Sequence, residues 1–304
     1  MKRKIIKQGE SALTVTIPKK WAKDMNILNN KEINCDIRGN ELVYSIEKEP
    51  EALTKTIDIT NMSKRVIRWF LAGMHKGGYD EIEIFYKGED QLELINELIK
   101  DLMMGFAIVE QSEKRVLLRL VTKENPDEFQ TLLRRAFLVG LNLSDSCLIY
   151  IKTNKFDKLE KLTSLEKTNN QLTNFCERMI NKGVLKESNN SHFLYVIVWN
   201  LEKIVDDYKY IVQYLSGRKK TISKEVIKLF EKINNHFRAY YELFYTFDSK
   251  KMSDLSIYRK ETEKEIKKLL EKSKGEESVV ISYLHTILMK CEDFSASMFM
   301  LKHE

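Results

Sequence analysis

The chain has 304 residues, of which 43% are hydrophobic and 32% are charged, and its formal net charge is +6 at pH 7. A chain of this length is expected to form two or three domains with sizeable cores. Its longest uninterrupted apolar run, Phe193–Trp199, is far shorter than the roughly 20 residues that a membrane-spanning helix needs. We therefore expect no direct insertion into a membrane.

The four cysteines lie far apart, and no two of them have the C-x-x-C spacing. This spacing argues against a zinc knuckle and against a disulfide framework, and it favours a reducing cytoplasmic location. The basic start of the chain is not followed by an apolar segment of signal-peptide length, so no export is expected.

The positive charge is concentrated at the start of the chain. Residues 1–23 contain seven basic side chains and one acidic side chain, Glu10, and therefore hold the whole excess of +6. The remaining residues contain 44 basic and 44 acidic side chains and are formally neutral. A localised field of this kind attracts a polyanion. The candidate DNA-binding residues are Lys2, Arg3, Lys4, Lys7, Lys19, Lys20 and Lys23.

Residues 1–50 are predicted to form a small, strand-rich domain. Thr14–Ile17 are β-branched and alternate in polarity between Gly9 and Pro18, which predicts a short strand followed by a helical turn. Two more strands are expected at residues 32–37 and 41–46. Since about fifty residues of this kind bury too little surface alone, we expect an obligate homodimer.

The motif G-E-S-A-L-T-V-T-I-P-K-K-W-A-K, followed by N-I-L-N-N-K-E-I, resembles the AbrB/SpoVT swapped-hairpin DNA-binding domain. With Trp21 three residues after Pro18, it is similar to the copy fused to archaeal PhoU-like proteins. The resemblance implies that basic residues near the first strand and after the proline, here Lys7 and Lys23, meet DNA. Thr14 stands where many members carry arginine. The alternative interpretation is that these lysines form a solvated face or touch another protein.

Residues 51–124 are predicted to form a small α+β connecting domain. The segment G-Y-D-E-I-E-I resembles the region that connects AbrB-like and PhoU-like parts in archaea. Gly77 and Gly78 are interpreted as a turn, because no phosphate loop or nucleophile elbow surrounds them. The predicted helices are Ser63–Lys76 and Asp90–Met104, and the predicted strands are Thr56–Ile59, 82–86, 106–110 and 115–121.

Residues 125–304 contain no proline after Pro126 and are predicted to be all helical. Asn125 and Pro126 start a first helix with an apolar stripe. Long helices with short connections predict a pair of three-helix bundles arranged end to end. The five further helices are expected at Asp157–Lys182, Ser191–Ser216, Ser223–Phe247, Ser253–Lys274 and Glu276–His303.

The segment L-E-K-I-V-D-D-Y-K-Y-I, which begins at Leu201, resembles a motif of the PhoU family, whose two three-helix bundles carry E-x-x-x-D pairs that hold metal clusters. The resemblance implies Glu202 and Asp206, with Glu166, as candidate ligands of a divalent or transition metal ion in the first bundle. Their spacing suits oxygen-seeking cations. The alternative is an ordinary solvated helix face.

The other three acidic pairs of that motif are eroded in this chain. Glu166 is followed by Asn170 instead of an acid, Glu263 is followed by Lys267, and Asp293 is preceded by Met289. Because a lysine at a ligand position repels a cation, the second bundle is expected to hold no metal. We expect no catalytic residues, since the histidines are scattered singly without an H-E-x-x-H arrangement.

These features predict a dimeric, cytoplasmic, DNA-binding transcription regulator. By family resemblance, the regulated genes concern phosphate uptake, and the helical part senses a state or binds a partner, such as a phosphate transporter ATPase or another signalling protein. Two other classes stay open: a signalling adaptor for a phosphate transporter that does not bind DNA, and an AbrB-type antitoxin.

Overall fold

The structure is a computed structural model and describes residues 2–10, 12–27, 32–46, 52–185, 190–218 and 221–302. Contacts divide the chain into an N-terminal unit, residues 1–51, and a C-terminal unit, residues 52–304. A small β region comes first and a predominantly helical body follows. The motif residues 28–31, the predicted domain limit at Pro50 and the predicted helix end at His303 lie outside the described residues.

The N-terminal unit consists of two separate antiparallel hairpins and a short helix. The first strand was not predicted, because its apolar pair Ile5 and Ile6 stands among basic residues. Gly9, with a φ of +72°, lies between strands one and two, and Gly39, with a φ of +56°, lies between strands three and four. The elements are β1 (Ile5–Gln8), β2 (Ala12–Val15), α1 (Lys19–Asp24), β3 (Asn34–Arg38) and β4 (Glu41–Ser45).

Each hairpin presents apolar side chains that stay largely exposed among the described residues of its unit. In the first hairpin, Ile5 pairs with Val15. In the second hairpin, Ile37 pairs with Leu42, and these two side chains are 79% and 58% exposed. No residue among the described parts of the N-terminal unit is buried. The unit therefore has paired strands without a core of its own.

The C-terminal unit begins with a four-stranded sheet in the order β5-β6-β8-β7. The first two strands pair in parallel through a helical crossover, and the other pairs are antiparallel. Ile82 and Ile84 point from the middle of the sheet into a core shared with the two helices. The elements are β5 (Thr54–Asp58), α2 (Lys64–Lys76), β6 (Glu81–Phe85), α3 (Glu89–Leu102), β7 (Phe106–Gln111) and β8 (Arg115–Leu120).

Seven helices follow the sheet in the described part of the chain. Helices α4, α5 and α6 contact one another, and so do α7, α8 and α9. The two trios also pack along α4 with α7 and α6 with α9 and share one core, so they lie side by side and not end to end as predicted. The helices are α4 (Phe129–Lys152), α5 (Thr163–Asn181), α6 (Ser191–Leu215), α7 (Lys224–Tyr245), α8 (Ser249–Lys272), α9 (Glu276–Glu292) and α10 (Phe294–Lys302).

Two of the predicted helices are interrupted. The predicted helix Asp157–Lys182 begins as a 3-10 helix, Phe156–Leu162, before α5. Its buried residues recur every third position, which suits three residues per turn. The predicted helix Glu276–His303 breaks at Asp293. There the hydrogen bond from the Asp293 N–H to the Met289 carbonyl is long, with a distance of 3.3 Å between nitrogen and oxygen. None of the described helices is both long enough and apolar enough to cross a bilayer.

Two glycines inside helices differ in the space around them. A Cβ atom at Gly140 of α4 would lie 2.9 Å from the Val205 Cγ2 and 3.3 Å from the Phe237 Cζ. A Cβ atom at Gly73 of α2 would have no atom within 4 Å. The first glycine therefore allows three helices to approach closely, while the second has no such role.

Replacing Gly140 with leucine should destabilise the C-terminal unit, whereas the matched change Gly73→Leu should not. Overpacking at residue 140 is expected to lower the free energy of unfolding by about 1–3 kcal/mol. At residue 73, leucine should leave stability unchanged or raise it by up to about 1 kcal/mol, because glycine is a poor helix former. Urea denaturation of both variants measures the difference, and equal losses would contradict the packing described for Gly140.

Candidate functional site

The structure places all seven predicted DNA-binding residues on the surface of the N-terminal unit. The first three precede β1, the fourth lies within β1, and the last three belong to α1. All seven side chains are exposed. Lysines 19 and 20 occupy the first turn of α1, which contains no acidic residue. They therefore add positive charge at the positive end of the helix dipole.

The N-terminal arm and α1 lie on the same side of this unit. Arg3 and Trp21 line one cavity of about 280 Å³, together with Pro18 and Tyr44. The arrangement brings the basic arm next to the basic helix. Such a surface can contact several phosphate groups of a nucleic acid through exposed ammonium and guanidinium groups.

The predicted metal ligands lie in the C-terminal unit, where lysines bind their carboxylates. Lys209 Nζ lies 2.9 Å from Glu166 Oε1 and 2.6 Å from Asp206 Oδ1. Lys203 Nζ lies 3.1 Å from Glu202 Oε1 and 3.4 Å from Asp206 Oδ2. The structure thus brings the three acids into one network through two ammonium groups.

A third lysine extends this network into the α+β layer. Lys76 Nζ, at the end of α2, lies 2.9 Å from Glu202 Oε2 and 3.0 Å from Glu177 Oε2 of α5. Four carboxylates therefore alternate with three ammonium groups across α2, α5 and α6. We call this series the ion chain; its order is Glu177, Lys76, Glu202, Lys203, Asp206, Lys209 and Glu166.

The ion chain is largely withdrawn from solvent. The side chains of Glu202 and Asp206 are only 12% and 15% exposed, so they are less solvated than residues on an open helix face. Burial alone would lower the pKa of each lysine, but the neighbouring carboxylates outweigh burial and raise it. Burial also raises the pKa of Glu177, an effect that the Lys76 charge partly opposes.

The positions where the acidic motif is eroded also form internal contacts. Asn170 Nδ2 donates a hydrogen bond of 2.8 Å to Glu166 Oε1, and Lys267 Nζ lies 2.8 Å from Glu263 Oε1. Within the part of the chain that the structure describes, no three His, Cys, Asp or Glu side chains are grouped to hold a metal ion. A metal ion at the three predicted acids stays a prediction, and it would have to displace the lysines from their oxygens.

A buried arginine cluster next to the ion chain was not found from the sequence. Arg178 of α5 is fully buried and forms ion pairs with Asp80 and Glu124. Its Nη1 also donates to the carbonyls of His75 and Tyr79. The one available signal was the pair of charged residues inside the apolar stripe F-C-E-R-M-I of α5.

His75 of α2 is a fully buried imidazole beside this cluster. Its Nε2 lies 3.1 Å from the Met104 carbonyl oxygen, to which it donates a hydrogen bond, and its ring contacts Phe106 and Phe175. Burial lowers the pKa of His75 to about 3, and the charges of Arg178 and Lys76 act in the same direction. The ring is therefore neutral at pH 7.

Replacing His75 with glutamine should make the fold less sensitive to acid. A free histidine has a pKa of about 6.5, so between that pH and about pH 3 residue 75 binds a proton in the unfolded chain but not in the folded one. The stability that the neutral His75 contributes is fully present above about pH 6.5, and it decreases as the pH is lowered from there. Wild type should lose roughly 1.4 kcal/mol more per pH unit than the variant within this window.

Urea denaturation at pH values across this window tests the prediction. The control is His192→Gln, because His192 is exposed, and this variant should keep the wild-type dependence on pH. If the free energy of unfolding depends on pH with the same slope in wild type and in His75→Gln, proton binding at residue 75 does not contribute to the acid sensitivity of the fold.

Comparisons of the chain with protein families, with curated proteins and with solved structures find no match.

Proposed function

We propose that the protein is a dimeric DNA-binding transcription regulator without enzymatic activity, which acts in the cytoplasm. In this proposal the N-terminal unit binds DNA and pairs with a second copy, and the helical body senses a state or binds a partner. The resemblance of residues 1–23 and of the segment from Leu201 supports phosphate uptake genes as the regulated set.

The observation that carries the proposal is the distribution of charge. The whole formal excess of +6 belongs to residues 1–23. All seven basic side chains of this segment are exposed. Residues 24–304 are formally neutral taken together, and many basic residues of the body form ion pairs, as in the ion chain. Exposed and clustered cations favour a phosphate backbone, because binding releases condensed counterions.

Pairing with a second copy is supported by the two uncovered hairpin faces. Side chains such as Leu13, Ile37 and Leu42, which are 70%, 79% and 58% exposed, destabilise an isolated unit because their apolar surface stays in water. A second copy would cover these faces with identical ones. The unit would then acquire the core that it does not have alone.

The regulatory step in this proposal is a coupling between the body and DNA affinity. A ligand or partner that binds one arrangement of the dimer more tightly than another shifts the DNA-binding equilibrium by the same free energy. A phosphate transporter ATPase or another signalling protein is the proposed partner, on the strength of the resemblance to PhoU.

Replacing Lys7, Lys19, Lys20 and Lys23 with alanine should weaken binding to the DNA upstream of the protein's own gene. It should also flatten the salt dependence, since each lost phosphate contact reduces the slope of log K against log salt by about 0.9. The matched control replaces four exposed lysines of the body, which removes the same charge and should leave the slope unchanged. These are Lys158, Lys161, Lys264 and Lys268.

Fluorescence anisotropy at several salt concentrations measures both variants. An unchanged slope in a folded quadruple variant of the N-terminal unit would overturn DNA binding through this surface. Wild-type protein that does not bind this DNA at all would favour the adaptor, and a toxin that binds the protein would favour the antitoxin.

Replacing both Ile37 and Leu42 with lysine should convert the full-length dimer to a monomer. The two residues are paired on the apolar face of the second hairpin, and charges there cannot be buried against another copy. The control adds two lysines on the opposite face, at the paired residues Asn34 and Ser45, and should stay dimeric. Sedimentation velocity decides, and a wild-type monomer at micromolar concentration would overturn the dimer.

A further inference from the structure

The first turn of α2 combines positive charges with a helix N-terminus. Lys64, Arg65 and Arg68 follow the capping residue Ser63, and the turn contains no acidic residue. Arg68 has a long ion pair of 3.8 Å with Glu97, and the other two form none within the described ranges. Cations at the positive end of a helix dipole are unfavourable, so this arrangement does not serve the stability of the helix.

Two large aromatic residues follow these cations and remain in contact with solvent. Trp69 is 60% exposed and Phe70 is 45% exposed. The Arg65 guanidinium lies 5.1 Å from the centre of the Trp69 ring. The two aromatic residues and Tyr79 line a shallow groove of about 310 Å³.

The groove is open because its floor contains a glycine. Gly73 and Met74 also line it, and a Cβ atom at Gly73 would meet no atom within 4 Å. A glycine inside a helix is destabilising by about 0.5–1 kcal/mol relative to alanine, and no contact within the described residues requires one here. The backbone at Tyr79 is held in place, because Arg178 Nη1 donates a hydrogen bond to the Tyr79 carbonyl.

Three unfavourable features therefore meet on the outer face of one helix: cations in the first turn, exposed aromatic residues and a glycine in the middle. Local departures of this kind are expected at functional sites, where binding compensates for them. We propose that this groove, lined by Trp69, Phe70, Gly73, Met74 and Tyr79, binds an acidic segment of a partner protein that inserts one bulky apolar side chain.

Charge identifies the occupant as an acidic partner. The basic N-terminal segment would be repelled, because it has the same sign as Lys64 and Arg65. A second copy placed with the same face toward the first would oppose identical cations. An acidic segment is attracted to the first turn and to the helix dipole, while its apolar side chain fills the space above Gly73. This proposal does not depend on DNA binding by the N-terminal unit.

A library of random dodecapeptides displayed on phage, selected against the full-length protein, tests the proposal. Selected peptides should contain aspartate or glutamate around a leucine, phenylalanine or tryptophan. Synthetic copies should bind wild type in fluorescence anisotropy and lose about tenfold or more in affinity for Gly73→Leu and for Arg65→Glu. The charge-reversal control Lys158→Glu should bind as wild type, since Lys158 is exposed in the 3-10 segment before α5.

Gly73→Leu is the decisive variant, because it adds a side chain inside the groove at a position where the Cβ atom has no atom within 4 Å. Its urea unfolding curve confirms that a loss of binding does not come from a loss of folding. The absence of selected peptides, or peptides that bind Gly73→Leu as tightly as wild type, would overturn the proposal. The proposal would also be overturned if phosphatidylglycerol vesicles, or a second copy of the chain, bound the groove and lost this binding in the Gly73→Leu variant. Because DNA is absent from these measurements, their failure leaves the proposed DNA binding unaffected.

Discussion

The C-terminal unit depends on one buried guanidinium. Arg178 joins the sheet layer to the helices, since it binds Asp80 at the start of β6, Glu124 before α4 and two carbonyls near the end of α2. Lys182 adds further ion pairs with the same two carboxylates at 2.7 Å and 2.9 Å. A buried charge that loses its partner destabilises a protein by about 3–5 kcal/mol. Separating any one of these segments from Arg178 is therefore expected to destabilise the folded unit. The end of α2 and the backbone at Tyr79 are held by this contact.

The two units handle charge in opposite ways. In the N-terminal unit, basic side chains are exposed and stand next to apolar hairpin faces that nothing in that unit covers. In the C-terminal unit, the carboxylates and ammonium groups of the ion chain neutralise one another within a few ångströms and are largely shielded from water. The first arrangement is suited to partners, and the second is suited to a fixed internal geometry. The outer face of α2 differs from the ion chain, because its cations and aromatic residues stay exposed and favour an external partner.

Local signals in the sequence predicted most elements, and they did so because the relevant physics is local. Alternating β-branched residues indicated the strands, and Gly77 indicated the end of α2. The 3-10 segment was missed because the spacing of Phe156, Leu159 and Leu162 also fits a helix. The ion chain and the Arg178 cluster were missed because their partners are far apart in sequence, as with residues 76 and 202. No periodicity within one helix specifies which carboxylate on another helix an ammonium group will meet, so the acids Glu202 and Asp206 were found without Lys76, the partner of Glu202.

The lysines of the ion chain also supply positive charge to the carboxylates of the helical body from within the chain. An ammonium group fixed to the backbone cannot diffuse away, be removed by a chelator or be exchanged for a competing ion. The carboxylates on α5 and α6 therefore meet cations that the chain itself supplies. These ion pairs link α2, α5 and α6 through groups that are covalently part of the protein.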